Sequence, residues 1–149
     1  MKMKKLSAHF YVAEQFTTID IEAASVHGIK TVINNRPDDE AEGQPKSADL
    51  EKAAKDLGLH FVHIPISAKA ITDQNIDDFH STCREVQGPI LAFCRTGQRS
   101  TILWALGEVK ASPVETVLAV ASEAGYDLSK VRERLTIHSS PGKRSVRNR

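Results

Sequence analysis

The sequence predicts an α/β fold in which helices flank a central, mainly parallel sheet of four or five strands. Short stretches rich in β-branched and aromatic residues alternate along the chain with longer segments of helical periodicity. Three of the helical segments end at a glycine, which is a common way for a helix to stop. Strands that alternate with helices indicate a largely parallel sheet that is covered on both faces.

Four stretches of the chain have the composition of strands. Each combines β-branched or aromatic side chains with turn-forming neighbours. In chain order they are HFYVA at 9–13, KTVINN at 30–35, HFVHIPI at 60–66 and PILAF at 89–93. Their order within the sheet does not follow from the pattern.

Three helical segments separate these strands, and each begins near a residue that commonly caps a helix. Thr18 or Asp20 is expected to cap the first helix. Ser47 is expected to cap SADLEKAAKDLG, and Asp73 is expected to cap DQNIDDFHSTCREV. Each helix is long enough to connect two parallel strands.

The C-terminal third of the chain is predicted to be helical. STILWALGEVK at 100–110 reads as a helix, and Pro113 lies where a first-turn proline belongs for the next helix, PVETVLAVASEAG. A last short helix is expected around residues 128–135. We expect the whole chain, 1–149, to form a single domain with a core at about 9–137 and a basic, flexible tail at 141–149.

Composition and charge exclude several classes of protein. No stretch approaches the roughly 20 apolar residues of a membrane span, and the lysine-rich N-terminus lacks the apolar run of a secretory signal. The two cysteines make neither a disulfide framework nor the spacing of a zinc site. A mildly acidic body between basic ends does not match a nucleic-acid-binding surface. We therefore expect a cytoplasmic protein with no cofactor or metal and with neither nucleic acid nor membrane as partner, while its oligomeric state stays open.

The segment LAFCRTGQRS at 91–100 contains the residues that indicate a reactive site. Cys94 directly follows an apolar strand, and Arg99 lies at the start of the next predicted helix. Ligands of open α/β sheets bind beyond the carboxyl ends of the strands, and a glycine-containing loop at a helix N-terminus attracts anions. We therefore expect this loop to bind a tetrahedral oxyanion. The residues expected to contact the anion beside Arg99 are Arg95, Thr96, Gly97, Gln98 and Ser100.

The same surroundings are expected to activate the thiol of Cys94. A free thiol has a pKa of about 8.5, and a helix N-terminus and a nearby arginine lower it toward the neutral range. Arg99 supplies a planar fork for two oxygens of the anion. Cys94 and Arg99 are therefore predicted to be catalytic. Cys83 lies on the apolar face of a predicted helix and is expected to belong to the core.

From about residue 9 to residue 110 the chain resembles a small bacterial family of phosphatase-like domains that also occur attached to metallo-β-lactamase-type hydrolases. The cues are Tyr11-Val12, KTVINNRPDDE, HFVHIPI and LAFCRTGQRS followed by Trp104. The family is similar in fold to protein tyrosine and dual-specificity phosphatases, whose signature is a cysteine and an arginine separated by five residues. The resemblance implies that fold and the hydrolysis of a phosphate monoester through a phosphocysteine.

The active-site loop departs from that signature in its length. Cys94 and Arg99 are separated by four residues. With the serine that follows Arg99, this spacing is similar to the loop of single-domain rhodaneses, which carry a sulfane sulfur on the cysteine. The likeness to rhodaneses implies sulfur transfer through a Cys94 persulfide.

A second departure concerns the general acid. Tyrosine phosphatases place an aspartate on the loop before the signature, but here that loop reads SAKAIT, with no carboxylate before Asp73. The candidate acids are Asp38 and Asp39 in the polar loop RPDDEAEGQP at 36–45, with Asp73 behind them. Arg36 at the start of this loop is either a second cation for the anion or half of a surface ion pair.

Three functions stay open at this point. The first choice is a cysteine-dependent phosphatase-type hydrolase, because more of the chain carries that resemblance. The second is a rhodanese-type sulfurtransferase of sulfide or thiosulfate metabolism, and the third is a catalytically weak module that binds an oxyanion or a protein. The expected partner is a small oxyanion or a phosphorylated or persulfidated substrate.

Overall fold

The computed structural model describes residues 2–139 of the chain. The chain divides into two compact units, and the boundary falls after Ser100. Within the described residues, every strand lies in the first unit. The tail predicted at 141–149 lies outside the described residues.

A five-stranded sheet forms the centre of the first unit. Its strands are β1 (Lys4–Ser7), β2 (Phe10–Ala13), β3 (Thr31–Asn34), β4 (His60–His63) and β5 (Ile90–Phe93). They lie side by side in the order β1-β2-β5-β3-β4. β2, β5, β3 and β4 run parallel, and β1 pairs antiparallel with β2 at the edge. The predicted α/β fold with a mainly parallel sheet is confirmed.

The edge strand β1 is the one that the sequence pattern missed. Its residues KKLS include two exposed lysines, and Leu6 is its buried apolar residue. Charged side chains are common on edge strands because they discourage pairing with other chains. The strand forms because it folds back on β2, with Lys4 opposite Val12 and Lys5 opposite Tyr11. A search for β-rich composition does not detect such a strand.

Helices follow the strands as predicted. Those of the first part of the chain are α1 (Thr18–Val26), α2 (Ser47–Asp56) and α3 (Asp73–Glu85), and α4 (Gln98–Glu108) begins just before the boundary between the units. The second unit contains α5 (Val114–Glu123), a 3-10 turn at Ser129–Val131 and α6 (Arg132–Ser139). Among residues 2–139, no helix combines the length and the apolar character needed to cross a bilayer.

The caps of α1 and α3 lie upstream of their predicted positions, by one residue from Thr18 and Asp73 and by three from Asp20. Thr17, rather than Thr18 or Asp20, caps α1: its hydroxyl accepts from the Asp20 N–H, and the Asp20 carboxylate accepts from the Thr17 N–H at 2.8 Å. In the same way Thr72, rather than Asp73, caps α3. A cap has extended backbone and precedes the first helical residue. The predicted residues instead occupy the first turn.

Ser47 and Pro113 also differ from their predicted places. Ser47 is the first residue of α2, and Lys46 stands at the cap without a side-chain hydrogen bond. Pro113 is itself the cap of α5, with φ −60° and ψ 146°, and the helix begins at the next residue. The φ that proline fixes suits the cap as well as the first turn, and the extended ψ of Pro113 places it before the helix.

Buried apolar side chains cover both faces of the sheet. On one face, the core joins side chains of the strands to residues of α1 and α2, and Phe16 stacks on Phe93 with ring centroids 5.5 Å apart. On the opposite face, Phe10 of β2 meets Phe79 of α3 edge to face at 6.0 Å. With both faces covered, the carboxyl edge of the parallel strands is the part of the sheet left for a site.

Three loops meet at this carboxyl edge. The N–H of Asn35, after β3, donates to the carbonyl of Phe93 at 2.8 Å, and the N–H of Ile66, after β4, donates to the carbonyl of Asn35 at 2.9 Å. The N–H of Gln15, after β2, donates to the carbonyl of Arg95 at 3.2 Å. The loops after β2, β3 and β4 are thus tied to one another and to the end of β5.

Candidate active site

The loop after β5 folds around the sulfur of Cys94. This side chain is fully buried, and its Sγ accepts a hydrogen bond from the N–H of Gly97 at 3.1 Å. Gly97 has φ +98°, in the left-handed region that favours glycine. The turn brings the peptide N–H back toward the sulfur, and α4 begins at the following residue. The sulfur therefore lies beside the N-terminus of a helix, where negative charge is stabilised.

Arg99 lies in the first turn of α4, and its guanidinium makes several charged contacts. Nη1 donates to Oε2 of Glu40 and to the carbonyl of Ile66, each at 2.8 Å, and Nη2 donates to Oε1 of Glu40 at 2.9 Å. Burial opposes the charged form of Arg99. The hydrogen bonds with Glu40 and the interaction with Cys94 outweigh it and raise the pKa of Arg99. The predicted pair of Cys94 and Arg99 is thus brought together.

Glu40 is the residue of the site that the sequence analysis missed. Its Oε1 also accepts from Nε of Arg36 at 2.8 Å, so one carboxylate bridges two guanidinium groups. The hydrogen bond from Arg99 lowers the pKa of Glu40, burial opposes this effect, and the hydrogen bond from Arg36 reinforces it. Glu40 follows two further acids in the segment RPDDE, and no spacing rule distinguishes it from them.

Arg36 is a buried residue held from several sides. Its Nη1 donates to Oε1 of Gln15 at 3.1 Å, and its N–H donates to Oδ1 of Asn34 at 2.8 Å. Nε2 of His63 lies 2.9 Å from its carbonyl oxygen. The predicted alternative of a surface ion pair with the neighbouring aspartates does not hold, because the carboxylate partner is Glu40 and the side chain of Arg36 is 6% exposed.

Asp38 and Asp39, the predicted acids, have other partners. Oδ1 of Asp38 accepts from the N–H of Ser47 at 2.9 Å and so pairs one of the N–H groups in the first turn of α2 that have no partner within the helix. The carboxylate of Asp39 is 81% exposed and lies 3.3 Å from Nζ of Lys46. Asp73 begins α3. The acid that the structure brings to Arg99 is Glu40, two residues after Asp38.

Ser100 also has a partner other than the expected anion. It is buried, and its hydroxyl donates to Oδ1 of Asn35 at 2.8 Å. A hydroxyl has one proton to donate, so this bond engages it. Nδ2 of Asn35 donates to the carbonyl of Ile64 at 3.0 Å. Ser100 thus ties the start of α4 to the loops after β3 and β4.

A cavity of about 400 Å³ opens at this edge of the sheet. It is lined by Arg36, Glu40, Ala41, Ala68, Arg95 and Arg99. Three of the predicted anion-binding or catalytic residues therefore line one cavity, and its apolar lining consists of alanine. In the loop itself, Oγ1 of Thr96 accepts from the N–H of Gln98 at 3.2 Å. Within residues 2–139, no three His, Cys, Asp or Glu side chains cluster as metal ligands.

Sequence comparisons place the chain among known proteins. The family model described as beta-lactamase hydrolase-like protein, phosphatase-like domain, matches residues 2–111. The beta-lactamase hydrolase-like protein of Agrobacterium fabrum is 35% identical over 108 residues, which are 72% of this chain and 25% of that protein. The chain spans between 25% and 31% of the length of the curated relatives it matches.

Solved structures agree with the sequence comparisons. The crystal structure of a proposed phosphatase from Neisseria meningitidis Z2491 is 36% identical, with a TM-score of 0.84 over 93% of this chain and 99% of that one. A kinase associated phosphatase, whose catalytic-site cysteine is replaced by serine, is 15% identical, with a TM-score of 0.69 over 89% of each chain. That second likeness shows the fold alone, and the predicted phosphatase-like fold is confirmed. The chain belongs to the family of phosphatase-like domains found in beta-lactamase hydrolase-like proteins.

Proposed function

We propose that this chain is a cysteine-dependent phosphatase-type hydrolase that acts on a phosphate monoester. The observation that carries the proposal is the meeting of Cys94 and Arg99 at the N-terminus of α4, beside a cavity lined by three arginines. A nucleophile, a fork of N–H donors and a helix N-terminus together suit attack on a tetrahedral anion. The phosphatase descriptions of the family and of the Neisseria meningitidis protein support the same chemistry.

The reaction has two steps in this proposal. The thiolate of Cys94 attacks phosphorus, so that a P–S bond forms while the P–O bond to the leaving group breaks and the leaving oxygen takes the electron pair. Water then attacks the phosphocysteine, the P–S bond breaks, inorganic phosphate departs and the thiolate returns. The loop N–H groups and Arg99 stabilise the oxygens of the transferred phosphoryl group in both steps.

Glu40 is a poor proton donor for the leaving group. Its hydrogen bonds with Arg99 and Arg36 favour the charged carboxylate. It is also the carboxyl group among the described residues that line the cavity. A positioned general acid contributes typically 10²–10⁴-fold in rate, so the enzyme depends on leaving groups that need no proton. Aryl phosphates with acidic phenols are therefore the substrates of choice for an assay.

Sulfur transfer is the second candidate, and the loop length favours it. Cys94 and Arg99 are separated by four residues, as in the rhodanese-like pattern. In this reaction the thiolate attacks the outer sulfur of thiosulfate, the S–S bond breaks and sulfite leaves with the electron pair. An acceptor such as cyanide then takes the sulfur from the Cys94 persulfide. Neither step needs a proton donor, so sulfur transfer is not slowed by the hydrogen bonds that make Glu40 a poor one.

One paired assay distinguishes the two candidates. The same preparation is tested on nitrophenyl phosphate and on thiosulfate with cyanide, and the initial rates of phosphate and thiocyanate release are measured at neutral pH. We expect phosphate release to be the faster reaction at saturating substrate. If thiocyanate formation exceeds phosphate release by about tenfold or more, roughly 1.4 kcal/mol in barrier height, the chain is a sulfurtransferase instead.

A further inference from the structure

The polar loop between β3 and α2 presents a carboxylate to the catalytic arginine. Both oxygens of Glu40 are used: Oε2 by Nη1 of Arg99 at 2.8 Å, and Oε1 by Nη2 of Arg99 at 2.9 Å. Oε1 also accepts from Nε of Arg36 at 2.8 Å. Two parallel hydrogen bonds fix the plane of a guanidinium as well as its position.

The contacts of Arg99 determine which of its donors stay available. A guanidinium has five N–H donors. Nη1 uses both of its hydrogens, on Glu40 and on the carbonyl of Ile66, and Nη2 uses one on Glu40. One hydrogen of Nη2 and the hydrogen of Nε remain. These two hydrogens form the edge of the guanidinium that its contacts with Glu40 and Ile66 leave, and the nearby Cys94 sulfur contributes to the raised pKa of Arg99.

A glutamine in the same loop holds Glu40 in place. Oε1 of Gln44 accepts from the N–H of Glu40 at 3.0 Å and from the N–H of Ala41 at 3.2 Å. Nε2 of Gln44 donates to the carbonyl of Pro37 at 2.8 Å. The amide side chain therefore closes the loop from 37 to 44 across its middle. Asp39 adds a turn in the left-handed region, with φ 64°, immediately before Glu40.

We propose that Glu40 is a positioning residue, held by Gln44, that grips one edge of the Arg99 guanidinium so that the other edge faces the oxyanion beside Cys94. This assignment rests on the proposed function, because it gives Arg99 its orientation for phosphoryl transfer. It also gives Arg36 a role: its Nε donates to the same carboxylate oxygen as Nη2 of Arg99 and helps to hold the carboxylate in place. A different account makes the Glu40 carboxylate an internal competitor that occupies the anion site and that substrate must displace.

The positioning role and the competitor role predict opposite changes in phosphate affinity for one substitution. In Glu40→Gln, the negative charge beside the anion site is lost, and one acceptor oxygen becomes an NH₂ donor that faces the donors of Arg99. If Glu40 competes with substrate, this variant binds inorganic phosphate more tightly. If Glu40 positions Arg99, the variant binds phosphate more weakly, because the guanidinium loses its fixed plane.

The test measures phosphate affinity by calorimetry together with kcat and KM for nitrophenyl phosphate. We expect Glu40→Gln and Glu40→Asp to weaken phosphate binding and to lower kcat by up to about 10²-fold, with a smaller change in KM, because a misplaced group loses most in the transition state. Glu40→Asp keeps the charge but is one methylene too short for the paired hydrogen bonds. Gln44→Ala should show the same pattern, to a smaller extent.

Glu42→Gln is the matched control, since Glu42 lies exposed in the same loop. It should leave both measurements within about twofold, in line with other surface substitutions. Phosphate binding that tightens or stays unchanged in Glu40→Gln would overturn the positioning role, and Glu40→Asp applies the same test should Glu40→Gln fail to fold. If the wild type binds phosphate but does not hydrolyse the ester, the proposed function fails while the binding measurements still decide the role of Glu40.

Discussion

Replacing Cys94 by serine should lower phosphate release from nitrophenyl phosphate by at least about 10³-fold, as the loss of a covalent nucleophile generally does. The sulfur lies at the end of β5, where the Gly97 N–H and the N-terminus of α4 stabilise negative charge on it. A serine hydroxyl stays protonated at neutral pH, and the described loop offers it no histidine base. Initial rates of nitrophenol release measure the effect.

Cys83 provides the control for this substitution, because it is the other thiol of the chain. It lies on α3, where burial raises its pKa to about 12, so it remains protonated at neutral pH. We expect Cys83→Ser to keep the wild-type rate within about twofold, as a substitution outside the site generally does. A Cys94→Ser enzyme that retains most of its activity would rule out Cys94 as the nucleophile, and a comparable loss in Cys83→Ser would show that the loss is not specific to Cys94.

Arg99→Lys is expected to lower kcat by about 10²–10³-fold, the usual loss when an oxyanion donor is removed. Arg99 donates to both oxygens of Glu40 and to the carbonyl of Ile66 at once. A lysine ammonium keeps the charge but has three donors and no planar fork, so it cannot hold Glu40 and the oxyanion together. The measurement is kcat and KM for the same aryl phosphate.

Arg84→Lys is the matched control for Arg99→Lys, because Arg84 is an exposed arginine in the last turn of α3. Its substitution should leave kcat within about twofold, as expected for an exposed site. If Arg99→Lys also keeps kcat within a few-fold of the wild type, charge alone suffices at this position. The paired hydrogen bonds of the guanidinium would then have no part in catalysis.

The features that the sequence predicts are those encoded by neighbouring residues. The strands β2 to β5 carry apolar, β-rich residues because both faces of the sheet are covered, and the Cys94 loop lies within six consecutive residues. The strand β1 is different, since its lysines suit an exposed edge and its pairing depends on β2. The observed caps Thr17 and Thr72 lie upstream of the predicted residues, and Asp and Asn, rather than the usual Glu or Gln, complete their capping boxes.

The partner of Arg99 depends on contacts that are distant in sequence. Glu40 lies 59 residues before Arg99, and the two meet only because the loops after β3 and β5 share one edge of the sheet. Among the three acids of RPDDE, the turn at Asp39 and the hydrogen bonds of Gln44 decide which carboxylate points to Arg99. Composition and spacing therefore identified the acidic loop but selected Asp38 and Asp39 within it.

In the proposed mechanism Cys94 carries a phosphoryl group during turnover. Nitrophenolate leaves without help, whereas Glu40, the carboxylate lining the cavity, is engaged by two arginines and poorly placed to activate the water of the second step. Hydrolysis of the phosphocysteine should therefore be slower than its formation, so the phosphocysteine should accumulate. The most direct measurement is the mass of the peptide that contains Cys94, from enzyme quenched rapidly during turnover of nitrophenyl phosphate. We expect this peptide to gain one phosphoryl group, and the Cys94→Ser enzyme to gain none. An unmodified peptide during steady phosphate release would contradict this proposal.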